Sequence, residues 1–291
     1  MRGMATGGQT KRRTNQPPLA KGKTDSVPFK VAIVSWIDLL GYGGMIANAE
    51  FNPADRRSRV PISRLRAFHR IVAEHSARTF RTLVLNDGAA AYRDLSMRGP
   101  DVTCDFLTRS FAMFTAINAL EKANGFPGAR MVMAVGFRSK GSRRAIDYTS
   151  GHLNSILSRL ENGLISAEQA VKEAGSIQRY FDVLPQLQAN FAFTKAYLAD
   201  SSGSKAGLGG PRFFVDDAVF EGEVPTWLLS EDPISWEHAK LKLKANFIPI
   251  SAVDIETARI ANWCGLRDGL KVAEAIAPDT PILEAMRNNH R

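Results

Sequence analysis

Two carboxylates in this chain have the setting to do chemistry together. Asp38 closes the continuous apolar and β-branched run Val31 to Ile37, and Asp87 sits in Asn86-Asp87-Gly88, between Thr82 to Leu85 and a stretch that begins at Ala89. The first run reads as a buried strand with Asp38 at its C-terminal end, and Asn-Asp-Gly between two short extended stretches reads as a hairpin turn. If the strands are neighbours, the two carboxylates stand side by side. Burying like charges together is costly unless a cation neutralises them, and oxygen ligands with open positions suit Mg²⁺ or Mn²⁺, with substrate phosphates completing the shell. The glycine-rich turn from Leu39 to Gly44 follows at once, and the N–H groups of Leu40, Gly41, Tyr42, Gly43 and Gly44, at the start of the next helix, could receive phosphate oxygens. On spacing alone a plainer alternative stays open, with Asp38 as a helix cap and Asp87 as an ordinary turn residue.

The elements that must position these residues follow from periodicity. Ser63 can cap a helix that uses Leu65, Phe68, Ile71 and Val72 and runs to about Phe80, and the hairpin returns from Ala89 to Leu95. Asp101 opens a long helix through Phe106, Phe111, Phe114, Ile117 and Leu120, closed by Gly125 and Pro127, and Met131 to Phe137 is a third buried strand. Strand, helix, hairpin, helix, strand predicts an α+β fold of the ferredoxin-like or palm type: a mixed, mainly antiparallel sheet with helices on one face. Residues 149 to 184 predict two or three amphipathic helices separated by Gly163 and Gly175; a helix after Pro185 runs to about Asp200, and a Ser/Gly-rich loop leads to the strand Arg212 to Val215. Lys240, Lys242 and Lys244 alternate with apolar residues up to Phe247, which predicts a half-buried strand with a basic wet face. The chain is helical from Val253. The expected organisation is a basic tail over 1–29, a domain over 30–250 with a helical insertion at about 139–184, and a helical extension over 251–291.

Composition narrows the classes. The 291 residues carry a net charge of +9, of which the first 29 contribute +5 in a Gly, Gln and Pro-rich stretch that cannot repay its ordering entropy. The body is close to ordinary balance, so a nucleic-acid partner is not the favoured reading. At 44% hydrophobic and 23% charged the chain can bury a sizeable core. It shows neither a membrane-length apolar run nor the apolar stretch of a secretory signal, and two cysteines are too few for a disulfide scaffold or a thiolate metal site. The expected address is a reducing cytoplasm.

The residues also resemble a family, the class III nucleotidyl cyclases. Val34-Ser-Trp-Ile-Asp-Leu-Leu-Gly-Tyr42 is similar to that family's first strand, and Leu85-Asn-Asp-Gly-Ala-Ala-Ala91 to its hairpin. Ala192-Phe-Thr-Lys-Ala-Tyr-Leu198, the Gly-rich loop after it and Pro211 to Val215 are similar to the family's later helix and strand. The Asp-Leu-Leu-Gly-aromatic form and the Ala-Tyr pair look most like the bacterial antiphage (Pycsar-type) pyrimidine cyclases. The likeness covers about residues 30 to 138 and 185 to 250.

That resemblance implies a metal-dependent cyclisation of a pyrimidine nucleoside triphosphate, UTP by preference, to cyclic UMP and pyrophosphate, as a phage-defence signal read by a separate cyclic-nucleotide-sensing protein. Cyclic CMP from CTP is the alternative. Asp38 and Asp87 would bind two divalent ions, Mn²⁺ or Mg²⁺, with the Leu39 carbonyl as a further ligand, and Gly41, Tyr42 and Gly43 would lie against the triphosphate. A homodimer with composite sites is implied. This sequence departs from the pattern in places. Leu83 stands where purine cyclases commonly carry a base-reading Lys, which argues against ATP, and Thr194 and Leu198 stand where a shared Asn and Arg assist the transition state. Lys195, or a Lys of the 240 to 244 stretch, is the candidate to supply that missing charge. A catalytically silent nucleotide-binding relative would also explain Thr194 and Leu198, but gives no reason for both aspartates.

Weaker candidates have bland readings. His69 and His75 are six apart on one helix, a spacing that does not place two metal ligands on one face. Gly207 to Gly210 lacks the strand and helix that dinucleotide binding needs. The Phe residues from 106 to 114 read as core, and Trp36 reads as core before it reads as pocket lining. Arg138, Lys140, Arg143 and Arg144 form a basic cluster just past a strand end, where phosphates could be met or a solvated loop could run.

Overall fold

A computed structural model describes residues 29–140, 148–177, 184–262, 265–278 and 281–288. The expected tail, the core of the basic cluster at Arg143 and Arg144, and Cys264 lie outside the described residues. Among the described residues one eight-stranded sheet has the order β2-β3-β1-β4-β5-β8-β6, with β7 also on β8. Its centre is β1 (Phe29–Leu39), flanked antiparallel by β3 (Gly88–Asp94) and β4 (Ala129–Ser139), with β2 (Arg81–Leu85) outside β3. β5 (Phe213–Asp216) is parallel to β4, and β6 (Leu228–Ser230), β7 (Ile234–His238) and β8 (Leu243–Val253) complete the antiparallel remainder. The fold is thus the mixed, mostly antiparallel α+β arrangement expected.

Every residue from Val31 to Ile37 is buried because both faces of β1 are covered. On one face Ile33 and Ile37 meet α2 (Arg59–His75) through Phe68 and Val72, and α3 (Asp101–Ala123) through Phe106, Leu107 and Phe114. The Phe residues of α3 are core, as their spacing implied. The other face carries an addition to the expected layering: α6 (Phe191–Ser202) lies across β1 and β4. Its buried positions are Ala192, Ala196, Ala199 and Asp200, and the three alanines form a stripe at helical spacing whose small side chains let the backbones approach. Gly136 on β4 completes that fit, since a Cβ there would stand 2.7 Å from the Ala192 nitrogen.

Boundaries shift in several places. α2 begins at Arg59, with Pro61 tolerated in its first turn, so Ser63 is interior and not a cap. α4 (Tyr148–Glu161) and α5 (Ala167–Ser176) separate near Gly163, but Gly175 lies within α5, whose start is fixed by a Ser166/Gln169 capping box. The helix expected from Pro185 starts at Phe191, where the Asn190 side chain accepts from the Phe193 N–H. The basic strand is corrected most: residues 239–241 form a 3-10 turn, Lys242 takes a left-handed conformation (φ 53°), and only Lys244 lies in β8. The alternation ran through a reversal, because β8 must turn back to pair with β7, a strand that sequence reading missed.

The chain ends in α7 (Ile255–Ile260), α8 (Gly269–Ile276) and α9 (Pro281–Asn288). Val272, Ala273, Leu283 and Met286 of the last two enter the same core as α2 and α3, and the expected boundary at 250/251 falls inside β8. Among the described residues no helix is long and apolar enough to cross a membrane.

Candidate functional site

Asp38 is the penultimate residue of β1 and is paired in register with Gly88, the first residue of β3. The tight turn from β2 to β3, with Asn86 at φ 58°, puts Asp87 directly against that pair, and the Leu39 N–H donates to the Asp87 carbonyl at 3.1 Å. The structure therefore brings Asp38 and Asp87 together. Burial is the largest influence on the Asp38 carboxyl, followed by the charges of Asp200 and Asp87; Arg130 and Arg64 oppose these, and the net effect pushes it up to about 7. The plainer reading of Asp38 as a helix cap fails, because the cap position of α1 (Tyr42–Asn48) is Gly41.

A small residue after Asp87 is a geometric necessity. A Cβ on Gly88 would stand 2.3 Å from the Trp36 ring and 3.3 Å from Asp38 Oδ1. Trp36 cannot step aside easily: its Nε1 donates to Asp200 Oδ2 at 3.2 Å, and its ring meets Phe193 and Tyr197 edge-on, with centroids 5.9 and 5.4 Å away. Gly88→Ala should cost roughly 1–3 kcal/mol of stability by overpacking. Urea unfolding with tryptophan fluorescence measures this, and an unchanged midpoint would contradict the packing described.

Sequence reading missed a cation set beside Asp38. Arg130 of β4 is in register with Asp38 across the strand pair and is buried. It donates from Nε to Asp200 Oδ1 at 2.5 Å, from Nη2 to the Asp200 carbonyl at 2.7 Å and from Nη1 to the Leu208 carbonyl at 3.0 Å. Asp200 ends the buried stripe of α6, so this pair fastens the helix end beside Asp38. The available signal was a charged residue at the foot of the apolar run Met131 to Phe137.

The turn after β1 is held by a second buried arginine. Arg64 pairs with Glu121, the two side chains being 1% and 3% exposed, and its Nη2 donates to the Leu40 carbonyl at 2.9 Å. The Leu40 N–H donates to the Gly128 carbonyl at 2.9 Å. Both backbone groups of Leu40 are thus engaged, which corrects its expected role as a phosphate donor: the loop uses Leu40 as an anchor. Gly41 takes a left-handed conformation (φ 73°) that a side chain would strain, and Gly41, Gly43 and Gly44 are exposed. Tyr42 is buried in the core, and burial, with the nearby Asp87 charge adding to it, raises its phenol above the usual range.

Lys195 is not brought to this pair. Its Nζ meets Asp216 Oδ2 at 2.5 Å, with side-chain exposures of 14% and 1%, so its charge is balanced where it stands. Thr194 is exposed and Leu198 half-buried on the same helix. His69 and His75 bond the carbonyls of Asn86 and Ile71, in keeping with their bland reading.

The donors present fit a divalent cation. Two adjacent carboxylates with a main-chain carbonyl are hard oxygen ligands, and the excess negative charge felt by Asp38 is what a cation would relieve. Among the described residues no group of three or more His, Cys, Asp or Glu side chains gathers for metal binding, so substrate oxygens would have to complete the shell.

No family model matches the chain, and no curated protein matches it. Among solved structures it is similar to the guanylyl cyclase Cya2, at 12% identity and a TM-score of 0.44, over 77% of this chain and 93% of that one. It is also similar to the guanylate cyclase domain of RhGC from Catenaria anguillulae in complex with GTP, at 9% identity and a TM-score of 0.43, over 77% and 97% of the two chains. A non-canonical dimeric guanylyl cyclase domain of the RhoGC fusion protein from Blastocladiella emersonii follows, at 8% identity and a TM-score of 0.39, over 77% and 96%.

Proposed function

We propose that the chain cyclises a nucleoside triphosphate at Asp38 and Asp87. The observation that carries this reading is the juxtaposition of the two carboxylates at the ends of β1 and of the β2–β3 turn, with Asp38 held well above the ordinary carboxylate range. The motif resemblance of residues 34–42 and 85–91 supports it independently. Asp38 and Asp87 would hold two divalent ions, Mn²⁺ or Mg²⁺, with the Leu39 carbonyl as a further ligand. When bound, such ions polarise the α-phosphate, acidify the ribose 3′-hydroxyl and stabilise departing pyrophosphate. The chain's own residues supply the rest. Arg130 and Asp200 fix the wall beside Asp38, Arg64 anchors the loop through Leu40, and the exposed Gly41 and Gly43 let a triphosphate approach the backbone. The reaction joins the 3′-oxygen to the α-phosphorus and breaks the bond to the β-phosphate, giving a 3′,5′-cyclic nucleotide and pyrophosphate.

UTP is the proposed substrate and cyclic UMP the product, with Leu83 leaving no Lys to read a purine; the role is an antiphage signal passed to a separate sensing protein. The proposed working unit is a homodimer in the cytoplasm, each chain made of a tail and a cyclase domain whose core the C-terminal helices join. Incubation with Mn²⁺ and each of the four ribonucleoside triphosphates in turn, with products separated and weighed by mass spectrometry, tests this. A cyclic product from UTP is expected. A product from CTP alone would move the base assignment, and linear hydrolysis products alone would overturn the reading.

A further inference from the structure

Arg138, the member of the basic cluster that falls within β4, acquires neighbours in the fold that sequence spacing could not give it. Arg138 lies on the α6 face of the sheet at the far end of the strands: eight residues of β4 separate it from Arg130, roughly 26 Å at a strand rise of about 3.3 Å. Its Nε and Nη2 donate to the two oxygens of Asp94, each at 2.7 Å, and Lys30 approaches the same carboxylate at 3.0 Å. Its third nitrogen, Nη1, is buried and has no hydrogen-bond partner among the described residues. A buried guanidinium N–H left unpaired is unfavourable and uncommon, so it points to a missing acceptor.

A concavity of about 490 Å³ lies here, lined by Arg78, Arg81, Tyr92, Arg93, Asp94 and Arg138 among others. Arg93 is balanced by Asp105 at 2.6 Å and Asp94 by Arg138 and Lys30. Arg78 and Arg81 are exposed and have no carboxylate partner among the described residues, so the pocket carries uncompensated positive charge. A second concavity of about 660 Å³ shares Arg78, Arg81 and Tyr92 and continues over Val72, Thr82 and Val84. A compact basic end that opens onto an aromatic ring and apolar wall matches a ligand with a phosphate at one end and a flat body at the other.

We propose that this pocket is a second ligand site, in which Arg78 and Arg81 take the phosphate of a nucleoside phosphate against the Arg138 guanidinium and Tyr92 lies along its nucleoside. It is distinct from the Asp38/Asp87 pair and does not depend on turnover there. The test is calorimetric titration of the full chain in EDTA, at ionic strength held constant with NaCl, using inorganic phosphate and uridine 5′-monophosphate as probes. Saturable binding of one uridine monophosphate per chain is expected, at least tenfold tighter than inorganic phosphate. The double variant Arg78→Gln/Arg81→Gln should weaken it tenfold or more with its melting temperature unchanged, since both side chains are exposed and neither has an ion-pair partner among the described residues, and Asp87→Ala should leave it intact. Absence of saturable binding, equal affinity for the two probes, or indifference to the double variant would overturn the proposal. So would binding that appears only with divalent cations or disappears in Asp87→Ala, which would place the anion at the carboxylate pair.

Discussion

Asp38→Asn is expected to give a protein that is more stable than the wild type above pH 7 without divalent cations and that forms no cyclic product with them. The folded carboxyl sits at about 7 against an ordinary value of 3.8, so the folded state holds its proton more tightly than the unfolded chain. Stability from this group is full below pH 4 and is lost as the pH rises from about 4 to 7; above that the buried charge is a constant penalty. Removing the charge should return on the order of 2 kcal/mol at pH 8, after allowing for solvent screening of a half-buried group, or a melting temperature higher by roughly 4–8 °C. Mn²⁺ should raise the wild-type melting temperature at pH 8 and leave that of Asp38→Asn unmoved. Turnover should fall by about 10³-fold or more, since the lost cation contributes several kcal/mol to the transition state. Melting curves with and without EDTA across pH 5 to 8 check the stability half, and a variant less stable than wild type at pH 8 in EDTA would contradict it.

The second large effect belongs to Arg64. With its side chain 1% exposed and its partner Glu121 3% exposed, Arg64→Ala strands a buried carboxylate and should cost about 3–5 kcal/mol. The double variant Arg64→Met/Glu121→Leu, which leaves no buried charge, should recover most of that loss in urea unfolding. Activity should not recover with it, because the Leu40 carbonyl loses its donor and the loop after β1 its anchor. A double variant with restored stability and full activity would show that the pair serves packing alone.

How much of this was legible depended on the range of the interaction that decides each residue. Asp38 and Asp87 were each readable because a strand end and a two-strand turn are local patterns; their meeting was not, because it needs β1 to pair with β3, with Asp38 opposite Gly88 fifty residues on. The central strands and α3 were readable as local patterns too. Arg130 with Asp200, 70 residues apart, and Arg64 with Glu121, 57 apart, were not, because only packing makes them partners. Arg64 did leave a trace: it falls on the same stripe as the buried Pro61, Phe68 and Val72 of α2, a charged residue where an apolar one belongs. The Lys240 to Lys244 alternation misled because a turn and a strand can share a period of two over so short a span. Lys195 looked available in sequence, and its partner Asp216 lies 21 residues on, in a strand that only the fold brings beneath it.

The central claim is that the Asp38/Asp87 pair holds the cations that cyclise a triphosphate. The most direct measurement is the yield of cyclic UMP and pyrophosphate from UTP and Mn²⁺ by wild type and by Asp87→Ala, a half-buried turn substitution that should leave the fold intact. Equal amounts of the two products from wild type, and neither above background from the variant, are predicted. Equal turnover by both proteins would contradict the account.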